Sequence, residues 1–218
     1  MGADHLQDIQ LLIFQATPFC NIDCKYCYLP NRSNTARIDP DLVRQTCEKV
    51  ANSGFYQDSI SVVWHAGEPL TVGPAYLSKL FDMCDPLASV APRLTQHLQT
   101  NAMLIDGDFC DLFLESNARI GVSIDGPAHL HNRYRVGRNG NGSHEATMRG
   151  ISMLRDRGIP FDVICVITSH SLEFAAEIYE FFSDIGAQSV GFNVDEIEGA
   201  NSSSSMESID YFLSLIHI

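Results

Sequence analysis

Hydrophobic residues along this chain follow two alternating rhythms. Short apolar runs at Ile9–Phe14, Ile60–Trp64, Leu94–Gln99, Ile120–Ile124, Phe161–Ile167 and Ser189–Asn193 are rich in Ile, Val and Leu and predict strands. Between them, Pro40–Ser53, Ala75–Ala88, Asp108–Ser116, Ser143–Arg157 and Ser171–Ile185 repeat apolar residues at spacings of three and four, which predicts helices. Asp39-Pro40 opens the first helix, Ser143 and Ser171 are placed to cap later ones, and Gly158 and Gly186 stop two of them. Strands that alternate with helices in this way predict an α/β fold with a parallel sheet. Right-handed crossovers can close such a sheet into a barrel or leave it open, and periodicity does not choose between the two.

The polar and glycine-bearing positions fall where those runs end. Cys20–Cys27, Ala66-Gly67-Glu68-Pro69, Gln99-Thr100-Asn101, Ser123–Gly126 and Asn193 sit at, or just past, the carboxyl ends of predicted strands. Parallel α/β folds build their sites on that rim. One site assembled from many loops is the economical reading.

The cysteines are the sharpest chemical signal. Cys20, Cys24 and Cys27 are spaced C-x3-C-x2-C on one loop after the first strand. Thiolates are soft ligands that select iron–sulfur clusters, zinc or Cu(I). A closed zinc site or an ordinary cubane takes four protein ligands, so a cubane held by three leaves one iron open. The other reading is a non-catalytic zinc module completed by a distant histidine; His65, His129 and His131 are the candidates, and none is closely paired with a cysteine in sequence. Cys47, Cys84, Cys110 and Cys165 are dispersed and read as packing residues.

The spacing, with aromatic Tyr26 before the last cysteine, resembles the radical S-adenosylmethionine (radical SAM) superfamily. The resemblance implies a partial parallel (β/α)6 barrel, with residues 1–200 as its core domain and 201–218 as a linker leading into a truncated C-terminal region. It further implies that Cys20, Cys24 and Cys27 hold a 4Fe–4S cluster whose open iron binds S-adenosylmethionine, and that the cluster cleaves it reductively to a 5′-deoxyadenosyl radical. Gly67, Glu68 and Pro69 match the family's Gly-Gly-Glu-Pro motif, with Ala66 in place of the first glycine; Glu68 would meet the cofactor's amino group. Tyr26 would lie by the adenine, Asn101 near the cofactor, and Ser123 and Asp125 by ribose hydroxyls. Asn193 would complete the rim, and Arg135 would pair with the methionine carboxylate. His131 and Arg133 would orient their loop or touch substrate.

The run from Ser123 to Arg135, then Gly142-Ser143 and the helix Thr147–Leu154, resembles the anaerobic sulfatase-maturase-like group, which includes maturases of ribosomally made peptides. That implies a peptide or protein substrate and an external electron donor such as a flavodoxin or ferredoxin. Crosslinking of a precursor peptide is the leading subtype and formylglycine formation in sulfatases the alternative. Members of the group usually continue into a cysteine-rich SPASM domain, which this sequence does not contain.

Composition narrows the partners. A formal charge of −13, from 14 Lys and Arg against 27 Asp and Glu, argues against nucleic acid or an anionic membrane. With no signal-like N-terminus, no membrane-length apolar run and an odd seven cysteines, a cytoplasmic protein without a disulfide framework is expected. Asn201–Ser205 reads as a flexible polar segment, followed by a helix-like pattern from Met206 to Leu215.

Overall fold

A computed structural model describes residues 8–206. Six strands, β1 (Ile9–Phe14), β2 (Tyr56–Trp64), β3 (Arg93–Thr100), β4 (Arg119–Ser123), β5 (Phe161–Ile167) and β6 (Val190–Val194), form one sheet in sequential order. All five pairings are parallel. Each strand therefore lies beside its sequence neighbour, with β1 and β6 as the two edges. The crossovers carry α1 (Pro40–Ala51), α2 (Pro74–Asp82), α3 (Asp85–Ala88), α4 (Gly107–Ser116), α5 (Ala128–Tyr134), α6 (His144–Asp156) and α7 (Ala175–Ile185).

The period-2 pattern decides which face is covered. Ile60, Val62 and Trp64 on β2, Ile120 and Val122 on β4, and Phe161, Val163 and Cys165 on β5 are buried in one core with the apolar stripes of the helices. The alternate residues on the other face are more polar: Ser61, Thr95 and His97 bond among themselves, and Gln99 reaches Ser123. Trp64 anchors the covered side, stacked with Phe14 and tilted on Phe81, while its Nε1 donates to Gln96 at 2.7 Å.

Local chemistry adjusts the expected boundaries. Ala75–Ala88 is two helices because the chain turns at Met83 and Cys84, where Pro86 brings no N–H to continue the ladder. His129–Tyr134 belongs to a helix, α5, that apolar periodicity in so short a segment did not mark. Asp39 caps α1 by accepting from Asp41 N, and Gly186 stops α7 at φ +78°. Ser143 does not cap α6: its hydroxyl is turned to Arg135 O at 2.7 Å and to His131. Ser171 opens a short 3-10 turn ahead of α7.

The polar segment Asn201–Ser205 is bonded to the end of the sheet. The buried Asp195 carboxylate accepts from Asn201 Nδ2 at 3.2 Å and from Ser205 N and Oγ at 2.8 Å each, and Ala200 N donates to Tyr28 O. A buried carboxylate needs these donors, and the polar run supplies them. The helix-like pattern after Met206 lies outside the described residues. Among the described residues no helix is long and apolar enough to cross a membrane.

Candidate functional site

The loop after β1 is laced to the segment after α5. Asp23 N donates to Val136 O at 2.7 Å and Lys25 N to Tyr134 O at 2.9 Å, and Ile22 bridges Gly137. Arginine side chains hold the loop's carbonyls: Arg138 Nε reaches Cys20 O at 2.7 Å, and Arg32 reaches Cys24 O at 3.2 Å. Cys20, Cys24 and Cys27 are thereby presented to one cavity of about 490 Å³ at the carboxyl ends of the strands. That volume is within the range of small-molecule sites.

The same cavity is lined by Tyr26, by Gly67 and Glu68 after β2, by Asn101 after β3, and by Ser123, Arg135 and Asn193. Two expected site residues, Pro69 and Asp125, are not among its lining. Pro69 is buried at the start of a 3-10 turn over residues 69–72.

All seven cysteines are free thiols. Burial pushes the Cys20 thiol up to about 11 and the Cys24 thiol up to about 12, with Arg135 pulling the latter back. The bare site therefore keeps these two sulfurs protonated, and a bound positive centre would be needed to draw out the thiolates. Among the described residues no His, Cys, Asp and Glu side chains are gathered in threes as a single-ion site. A cubane asks for something else, since each thiolate binds a different iron. Three soft donors lining one cavity fit that group.

Gly67 shows why the loop after β2 needs a glycine. At φ +65°, an added Cβ would collide with Thr17 O and come within 2.8 Å of Phe19 O, the backbone that leads into the cysteines. Glu68 N donates to Phe19 O at 2.7 Å across the same junction. Ala66 also has positive φ, +72°, which explains the advantage of glycine there.

Three polar residues expected to touch a cofactor line this cavity and also bond within the protein. The Glu68 carboxylate accepts from Thr100 Oγ1 at 2.7 Å, Asn101 N at 2.8 Å and Leu70 N at 3.1 Å. Burial pushes its pKa up to about 7 against these three donors. Arg135 forks onto Asp125, with Nε to Oδ2 at 3.0 Å and NH2 to Oδ1 at 2.9 Å, and both side chains are buried. Asp125 also accepts from Val166 N at 2.9 Å and from the Tyr26 hydroxyl. One carboxylate thus ties together the cysteine loop, β5 and the end of α5. Asn101 donates to Asn21 Oδ1 at 2.7 Å, with Cys20 Sγ at 4.0 Å.

His131 supports this junction from behind. Its Nδ1 accepts from Asp125 N at 3.3 Å. Ser143 Oγ spends its proton on Arg135 O, so His131 Nε2, 2.9 Å away, is the donor to Ser143. Burial, then the Arg135 charge, lowers the His131 pKa to about 3. The sequence did not single out Arg32 and Arg138, whose bonds to the cysteine loop go to backbone carbonyls that carry no residue signature. Nor did it mark Glu196 and Glu198, which line the cavity mouth and arrive there only through the turn after β6.

An open six-stranded parallel sheet with a three-thiol rim defines a class of partial-barrel metalloprotein. The Radical SAM superfamily model matches residues 14–182, and the chain belongs to that superfamily. It is 40% identical over 200 residues to the uncharacterized protein sll1766 of Synechocystis sp., covering 90% of this chain and 50% of that one. It is 30% identical over 189 residues to a serine-type anaerobic sulfatase-maturating enzyme of Klebsiella aerogenes, covering 84% of this chain and 46% of that one. The chain thus spans about half the length of these curated relatives. Among solved structures, native anSMEcpe with bound AdoMet and Kp18Cys peptide aligns at TM-score 0.82 and 23% identity, over 94% of this chain and 57% of that one. Streptococcus suis SuiB bound to precursor peptide SuiA aligns at 0.76 and 16%, over 97% and 45%. These two likenesses establish the fold, a six-stranded partial barrel.

Proposed function

We propose that this chain is the core of a radical SAM enzyme that modifies a peptide or protein, with crosslinking of a precursor peptide as its reaction. The observation that carries the reading is the lining of one rim cavity by Cys20, Cys24 and Cys27. These three would hold a 4Fe–4S cluster that, with S-adenosylmethionine on its open iron, supplies a 5′-deoxyadenosyl radical. The chain's own residues then have two jobs. Gln99, Ser123 and Asn193 offer polar contacts on the cavity wall, with the ring of Tyr26 beside them. Gly67, Glu68, Asp125 and Arg135 hold the cysteine loop and its neighbours in register, which is the positioning that radical chemistry requires of the protein.

A peptide or protein substrate is supported by both aligned structures, whose names include bound peptides. Formylglycine formation in a sulfatase is the second reading, favoured by the 30% identity to the Klebsiella aerogenes enzyme. Anaerobic reconstitution tests the core claim. About four irons and four sulfides per chain, with 5′-deoxyadenosine formed on reduction, are expected. Stoichiometric zinc with no iron uptake would refute it. Mass spectrometry of candidate substrates separates the subtypes: a crosslink removes two hydrogens from a precursor peptide, whereas conversion of a sulfatase-derived serine peptide to the aldehyde would establish the second reading.

A further inference from the structure

We infer that Glu196 and Glu198 form a specificity subsite at the cavity mouth, which takes a Lys or Arg side chain of the peptide substrate. This role rests on the peptide-modifying reading above and adds to it the charge of the segment selected. The turn after β6 is built to hold both glutamates in one place. Gly199 has φ +52°, and an added Cβ there would collide with Tyr28 O. Ala200 N donates to the same carbonyl at 2.8 Å, and Glu198 and Asn201 exchange backbone hydrogen bonds at 3.1 and 2.8 Å. Asn201 Nδ2 ties the turn to Glu196 O at 2.7 Å. The backbone of the two glutamates is thereby fixed against Tyr28, the residue after the third cysteine of the loop.

Charge and shape at the mouth suit a cation on an apolar stem. Glu196 and Glu198 are exposed and line the cavity, whereas the other two carboxylates of the lining, Glu68 and Asp195, are buried and bonded to protein donors. Among the described residues Arg135 is the only Lys or Arg of the lining, and its guanidinium is forked onto Asp125. Burial lowers the pKa of His65, the histidine of the lining, which keeps that ring from adding positive charge. The mouth therefore carries net negative charge. Two exposed aromatic rings, Tyr28 and Phe192, line the same cavity. Burial, then the charges of Cys27 and Glu198, raises the Tyr28 pKa, which places Glu198 close to that ring. Aromatic faces beside carboxylates hold an ammonium or guanidinium by cation–π and ionic contact while covering its methylene stem. An acidic segment meets repulsion at the same place. The mouth opens on the cavity that Cys20, Cys24 and Cys27 line, so a peptide anchored there by its cation has neighbouring residues facing the chemistry.

The test uses the full chain, reconstituted anaerobically, loaded with S-adenosylmethionine and immobilised. The probe is a library of short randomised peptides, selected on the chain by mRNA display. Selected peptides are then titrated by fluorescence anisotropy, each beside a copy whose Lys or Arg is replaced by Gln or by Glu. The chains compared are the parent, Glu196→Gln with Glu198→Gln, and Glu196→Lys with Glu198→Lys. Selection on the parent should enrich Lys and Arg, and the change to Gln should weaken binding about fivefold. Raised salt should narrow that preference. In the neutralised variant the cationic and Gln peptides should bind alike, and in the charge-reversed variant the Glu peptides should bind best. Peptides bound by the parent without a preference for a cation would overturn the subsite. So would a preference that survives in both variants, because it would belong to the acidic surface at large. Weakened S-adenosylmethionine binding in the neutralised variant, with the peptide preference intact, would assign the two carboxylates to the cofactor and likewise overturn it. Selection of no peptide, with cluster and cofactor in place, refutes the peptide reading and the subsite with it. Failure to take up iron refutes the cluster reading, a separate outcome read from metal content.

Discussion

The Asp125–Arg135 pair invites the most searching test, because it decides whether Arg135 acts on a ligand or on the fold. The perturbation is Asp125→Asn. Four donors converge on the Asp125 carboxylate: both arms of the Arg135 fork, Val166 N and the Tyr26 hydroxyl. Asparagine keeps one acceptor oxygen and turns an NH2 toward a donor, leaving a buried guanidinium without its counter-charge. Removing one partner of a buried pair costs about 3–5 kcal/mol. Against a domain stability of about 5–15 kcal/mol, that is roughly a fifth or more of the total. Urea unfolding of the cluster-free chain, followed through the single buried Trp64, reads it directly. Asp125→Leu combined with Arg135→Met removes both charges and leaves Val166 N and the Tyr26 hydroxyl without this acceptor, at about 1–3 kcal/mol each. The double variant should therefore be less damaged than the sum of its single changes. Arg135→Lys puts a compact ammonium where a planar fork spans two oxygens, so it too should lose stability. Its folded fraction should keep its affinity for S-adenosylmethionine. A loss below about 1 kcal/mol for Asp125→Asn, or normal stability with weakened cofactor binding for Arg135→Lys, would refute the latch and return Arg135 to direct recognition.

Three further expectations follow from the same junction. Ala66→Gly relieves a left-handed alanine that costs about 1–2 kcal/mol, offset by about 0.4–1 kcal/mol of extra unfolded-state entropy; a melting temperature a few degrees higher is expected, and a lower one would contradict the backbone at φ +72°. Gly67→Ala drives a methyl into the backbone before Cys20, so iron and sulfide content after reconstitution should fall severalfold, and parental content would show that the two loops can part. His131, with its pKa lowered to about 3, stays neutral in the folded protein while an unfolded histidine takes up a proton below about 6.5. Its contribution is full above pH 6.5 and is lost on acidification at up to about 1.4 kcal/mol per pH unit. The parent-minus-His131→Gln difference in urea midpoint should shrink between pH 7 and 5; a difference independent of pH would mean that the ring protonates in place.

What could be read before folding was what short-range pattern encodes. β5 has the predicted ends because Phe161–Ile167 is an apolar run broken only by Asp162, and Asp39-Pro40 opens α1 because capping is a contact between near neighbours. The cysteines and Gly67 could be read as parts of one rim because strand ends in a parallel sheet all face the same way. The partners of Glu68, Asp125 and Arg135 within the protein could not, although each residue belonged to a recognised motif. An acidic side chain near a strand end is equally suited to an ammonium ligand and to a ring of backbone N–H groups, and sequence does not say which arrives first. Here Thr100 and Asn101 N reach Glu68, and Val166 N reaches Asp125, from elements remote in the chain. The motif therefore reports that these loops must meet in one geometry, and the cavity that this geometry leaves is lined by the cysteines together with Glu68, Ser123, Arg135 and Asn193.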